Sequence, residues 1–147
     1  MNDSLTRALY EEFPEPYSGR FKASEESSIC WGFECGDGWY ALLRSLSREL
    51  TNYGSSNPQF RVEATQVKAK FGSLRFHLRE STPTTGEFID RAREVAGRTC
   101  ELTGASGSLC VKRPTAHRGA RYMVLCEEKA AELGYEKASR RSAASCR

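Results

Sequence analysis

The sequence predicts an α+β fold: a single domain in which an antiparallel β-hairpin packs against three or four helices, closed by a C-terminal cysteine-bearing knuckle. Three observations carry this expectation. Trp39, Leu42, Leu43, Leu46, Leu50 and Tyr53 recur at steps of three and four, the apolar stripe of an amphipathic helix. Residues 67–78 alternate apolar and polar on both sides of Gly72–Ser73, the pattern of a hairpin. The chain has 147 residues, 28% of them charged, which suits one domain with a real core.

In chain order, residues 3–12 read as a helix with Asp3 or Ser4 as N-cap, ended by Pro14 and Pro16. Residues 17–36 lack a period and read as a loop that threads Tyr17, Phe21, Trp31 and Phe33 into the core. In "WGFECGDGWYALL" (31–43), Asp37 is expected to cap the long helix, with Gly54 at its C′ position. "FRVEA" (60–64) reads as a strand facing inward at Phe60, Val62 and Ala64. The alternation then resumes one residue out of phase, so a bulge is expected at Thr65–Gln66. The hairpin follows as Val67–Phe71 and Leu74–Leu78. A third helix is expected from a Thr84–Glu87 capping box, with Phe88, Ala92, Val95 and Ala96 inward, ending near Gly97. After the glycine-rich "TCELTGASGSLC" (99–110) come a strand at Tyr122–Leu125 and a helix at Glu127–Leu133. The domain is placed at residues 1–136, with a basic flexible tail over 137–147.

Composition narrows the function classes. No run of apolar residues is long enough to span a membrane, and the first residues do not have the form of a signal peptide, so a cytoplasmic location is expected. In a reducing compartment the six cysteines (Cys30, Cys35, Cys100, Cys110, Cys126 and Cys146) read as packed thiols or metal ligands rather than a disulfide framework. The net charge of +3 hides an asymmetry: residues 1–60 hold nine acids against five bases, residues 61–147 seventeen bases against ten acids. A two-signed surface concerns partners rather than fold.

The hairpin is the first candidate site. With its apolar residues inward, Lys68, Lys70, Arg75, His77 and Arg79 must face out, with no acid among them. Like charges opposite one another on a sheet are destabilising, and an anionic partner would relieve them. A solvated edge guarded by lysines against aggregation produces the same pattern.

The knuckle is the second. Cys100 and Cys126 flank a turn–strand segment as zinc-ribbon ligands do, but the positions three residues on hold Thr103 and Lys129. Cys110 and His117 could complete a set with them only at irregular spacing. The expectation is a packed knuckle without metal or other cofactor. No nucleophile elbow, P-loop or metalloprotease motif is present, so no enzyme is expected.

Three stretches together, "ECGDGWYALL", "VKAKFGSLRFHL" and "RAREVAGRTCELTGASG", resemble a group of short phage and prophage proteins of uncharacterised function. The resemblance covers roughly residues 30–130. It implies a knuckle built like a one-zinc ribbon, of which this chain keeps Cys100 and Cys126 and replaces the other two ligands by Thr103 and Lys129: a degenerate zinc-ribbon-like knuckle. It implies no catalytic residue.

The resemblance also implies a setting, that of small accessory proteins that block host machines. The leading expectation is a phage-encoded binding protein that inhibits a host defence complex by occlusion, an anti-CRISPR being its narrowest form. The expected contacts are Lys68, Lys70, Arg75, His77 and Arg79, with Arg140 and Arg141 of the tail as auxiliaries. The favoured partner is an acidic face of a host protein or ribonucleoprotein. The alternative is a small nucleic-acid-binding accessory or regulatory protein. Against that stand a pI near 8.6, below the basic-domain guide of about 9, and the lack of a helix-turn-helix pattern.

Overall fold

The computed structural model describes residues 1–138. Four helices and two small antiparallel sheets form an α+β domain, in the order α1 (Asp3–Glu12), α2 (Tyr40–Ser56), β1 (Ala64–Lys70), β2 (Ser73–Leu78), α3 (Pro83–Ala96), β3 (Ser108–Lys112), β4 (Arg121–Leu125), α4 (Glu127–Leu133) and β5 (Glu136–Lys137). No helix among the described residues is long and apolar enough to cross a membrane.

The expected stripe of α2 forms the centre of the main core. Trp39, Leu43, Leu46 and Leu50 are buried there with Leu9, Tyr17, Ile29, Phe33 and the inner face of the hairpin. Burial of each such side chain is worth about 1.5–3 kcal/mol. The Trp39 indole N–H finds the Thr99 carbonyl at 3.0 Å, so its polar edge is not left unsatisfied. Gly54 lies inside α2 rather than past its end; the helix runs on to Ser56.

Sheet β4–β3–β5 separates this core from a smaller one. Val124 faces the main core, whereas Cys100, Cys110, Leu125, Ala130 and Tyr135 pack on the other side beneath α4. The strand β3 was not anticipated. Lys137 belongs to β5 and the Ala138 N–H donates to the Leu109 carbonyl, so ordered pairing reaches past the expected start of the tail.

Several local expectations need correction. Asn2, not Asp3 or Ser4, caps α1, its Oδ1 accepting from the Leu5 N–H. Asp37 does not cap its own helix; its carboxylate accepts from the Asn2 main-chain N–H at 2.7 Å and from Asn2 Nδ2 at 2.8 Å. These hydrogen bonds draw its carboxyl below the usual range. Within 17–36, two 3₁₀ turns (Ser18–Phe21 and Ser28–Trp31) bury Tyr17 and Phe33 but leave Phe21 80% and Trp31 75% exposed. α3 begins two residues earlier than expected, on a Thr82–Thr85 capping box, and turns Thr85, Ile89, Ala92 and Ala96 inward while Val95 is exposed.

Candidate functional site

The hairpin forms as its alternation requires, and the phase slip is repaired where expected. Ala64 pairs with Leu78 and Gln66 with His77, so Thr65 is the extra residue of a bulge. From there the register carries Val67↔Phe76, Lys68↔Arg75, Ala69↔Leu74 and Lys70↔Ser73. Val67, Leu74 and Phe76 are buried against the helices. "FRVEA" does not begin the strand: only Ala64 enters β1, and residues 60–63 lie outside any strand.

The connection is two residues, Phe71 (φ 53°) and Gly72 (φ 71°). Two positive φ values are what a type I′ hairpin needs, and Phe is an unfavourable residue for the first of them. Gly72 packs so closely on the second sheet that a Cβ there would lie 2.2 Å from Leu109 Cδ1. Phe71, expected in the core, is 53% exposed at the tip instead. Its ring meets Tyr122 of β4 edge-on, centroids 6.4 Å apart, and Lys70 Nζ lies 5.5 Å from its centroid. The turn geometry explains the miss. Alternation counts Phe71 inward after Val67 and Ala69, but a turn residue does not obey the strand period.

The expected cationic set divides. Lys68 and Arg75 are direct cross-strand neighbours, and neither these two nor Lys70 forms an ion pair among the described residues. Arg79 is committed elsewhere: it bonds the buried Glu63 carboxylate at 2.9 Å and the Glu26 carbonyl at 3.2 Å. His77 is exposed beside a shallow depression of about 200 Å³ shared with Glu25 and Glu26. An acid also joins the ribbon. Glu34 bridges β1 through its N–H to the Val67 carbonyl (3.0 Å) and its carbonyl to the Ala69 N–H (2.9 Å), alongside Lys68. The unpaired charge of the ribbon is therefore Lys68 and Arg75 opposite each other and Lys70 next to the exposed Phe71 at the tip. Arg140 and Arg141 lie outside the described residues.

Family models, curated proteins and solved structures were all compared with this chain. None matches. The chemistry of the surface has to carry the functional reading.

The knuckle brings Cys100, Thr103 and Cys126 together. Thr103 Oγ1 donates to Cys126 Sγ at 3.8 Å. Burial alone would push the Cys100 thiol up. Hydrogen bonds from the Thr103 hydroxyl and from the main-chain amides of Cys126, Leu102 and Thr103 outweigh it and hold the thiol below its ordinary value. Cys110 sits in the small core, its thiol donating to the Ser108 carbonyl at 3.3 Å, and His117 is in an exposed loop. Among the described residues no three Cys, His, Asp or Glu side chains converge as a metal-holding group.

Cys35 is buried and its thiol is pushed up to about 12 by that burial, which suits a packed thiol rather than a ligand. The glycines around it have a packing role. A Cβ on Gly36 would fall 2.2 Å from the Glu101 carbonyl oxygen, and one on Gly38 2.2 Å from that of Cys100. The Gly38 N–H donates to the Glu101 carbonyl at 2.9 Å, and Glu101 Oε1 accepts from the Gly36 N–H at 3.1 Å. "CGDGW" and "TCELTG", two of the stretches that carry the resemblance, are one packed unit.

Proposed function

We propose that this protein is a small phage-encoded binding protein that inhibits a host defence complex by occlusion, docking the tip of its cationic hairpin on an acidic protein face. The observation that carries the docking reading is the exposed Phe71, held at positive φ beside Lys70 at the end of a ribbon that also carries Lys68 and Arg75. An exposed aromatic anchor with one cation beside it and two more along the same ribbon has the make-up of an interface hot spot with a charged rim. The rim charges set on-rate and orientation more than affinity. The phage setting rests on the sequence resemblance, and an anti-CRISPR is the narrowest form of this reading. Affinity capture of the tagged protein from infected host cells, with the bound partner identified, tests it. Recovery of a host defence protein or ribonucleoprotein supports it, and recovery of phage structural proteins alone counts against it.

A second reading, a nucleic-acid-binding accessory protein, is favoured by one feature: the Lys70–Phe71 pair at the tip also suits a stacked base beside a phosphate. Binding to random duplex and single strands across a salt series separates the two. A steep loss of affinity with salt supports the nucleic-acid reading; no binding at low salt removes it.

A further inference from the structure

Residues 60–63, read as a strand from their alternation, have no strand partner. Where this run enters β1, alternate residues share an edge. The Glu63 carbonyl accepts from the Arg79 N–H at 2.8 Å, on the β2 side. The Ala64 N–H donates to the Pro16 carbonyl at 2.7 Å, on the opposite side. Continuing the same alternation by two residues assigns the N–H and C=O of Val62 to that opposite side. Among the described residues neither group finds a protein partner.

A cleft of about 640 Å³ opens there, lined by Pro14, Glu15 and Ser18 and by Phe60, Arg61 and Val62, with Gly54 and Ser55 of α2 also lining it. Its volume falls among ligand sites, which span about 300–1,000 Å³. Its lining includes Ser18, whose buried Oγ is, among the described residues, a side-chain polar atom with no hydrogen-bond partner. Buried hydroxyls are normally paired, and this one belongs to a residue that lines the cleft. Glu15 and Arg61 place one charge of each sign at the rim. None of these residues belongs to the hairpin.

The geometry points to a second binding site, in which an extended peptide segment of a partner protein enters the cleft as an added strand. Its main chain pairs with the N–H and C=O of Val62, Ser18 Oγ bonds the opposite edge, and Glu15 and Arg61 select a segment with a base near one end and an acid near the other. Main-chain pairing supplies affinity in this mode and the flanking charges supply direction.

The test is amide-resolved NMR titration of the whole protein with the blocked peptides Ac-Lys-Val-Thr-Val-Glu-NH2 and Ac-Glu-Val-Thr-Val-Lys-NH2, each alongside a version N-methylated at the central amides. The expected result is saturable shifts at Arg61, Val62 and Ser18 with one charge order preferred, and at least a tenfold loss on N-methylation. Ser55→Trp, at the rim on the outside of α2, should block the cleft without disturbing the fold and cost a similar factor. Absence of shifts at millimolar peptide, equal binding of the N-methylated peptide, or shifts confined to the hairpin overturns the site.

Discussion

Lys68 and Arg75 face each other directly across the β1–β2 ladder, with no carboxylate bonded to either among the described residues. Three residues beyond Lys68, past the last ladder pair, Phe71 occupies the left-handed region at φ 53° with half its surface in solvent. Each arrangement costs the free chain stability, and both lie on the same hairpin. An anionic partner docked on this ribbon would offset the first cost.

Reversing one member of the pair should stabilise the fold. Arg75→Glu places an acid directly opposite Lys68, turning a repulsive cross-strand pair into an attractive one worth about 0.2–1 kcal/mol. Urea denaturation should show a higher midpoint with an unchanged slope. A lower midpoint would mean that Arg75 supports the fold through its aliphatic stem.

Phe71→Asn should also stabilise, or leave stability unchanged, while weakening partner binding. Asn tolerates the left-handed conformation, which costs other residues about 1–2 kcal/mol. Against this gain stands the loss of the edge-on Tyr122 contact, worth about 0.5–1.5 kcal/mol. Thermal unfolding checks the first half of the expectation, and the affinity of the captured partner the second.

The contact between "CGDGW" and the knuckle has its own test. Gly38→Ala forces a Cβ to within 2.2 Å of the Cys100 carbonyl and should cost about 1–3 kcal/mol or more. Gly86→Ala in α3, where nothing lies within 4 Å of the added carbon, should instead gain about 0.4–1 kcal/mol. Equal effects of the two substitutions would contradict the packing described.

Glu63 makes stability depend on acid pH. Although burial opposes its charge, Lys22 at 2.7 Å and Arg79 at 2.9 Å hold its carboxyl below the usual value. A depressed folded value means that the stabilisation is present above the unfolded carboxyl value of about 4.3 and is lost as pH falls through the folded one. Glu63→Gln should cost about 1–3 kcal/mol at neutral pH and flatten the stability profile below pH 5. A profile as steep as that of the wild type would assign the acid transition to other carboxylates.

The sequence reads best where one physical constraint acts alone. The α2 stripe is a pure burial pattern, and the bulge at Thr65 follows from a phase slip that only an extra residue can repair. Reading fails where tertiary context decides. "FRVEA" alternates like a strand but has no neighbour to pair with over residues 60–63. Ile89 and Val95 both fit a helical stripe, and only the packing of α3 against α2 and β2 decides which turns inward. Of the expected contact residues, Lys68, Lys70 and Arg75 are brought together, while Arg79 is drawn away by Glu63, an acid whose burial no local pattern announces. Phe71, the aromatic part of the candidate site, was hidden by its place in the alternation.

The most direct test of the hairpin as the contact surface compares the wild type with Lys70→Glu/Arg75→Glu in affinity capture from infected host cells. Circular dichroism and thermal unfolding first establish that the variant is folded. The expected result is a host complex recovered with the wild type and absent with the variant. Recovery of the same complex in equal amount by both proteins would contradict the hairpin as the interface.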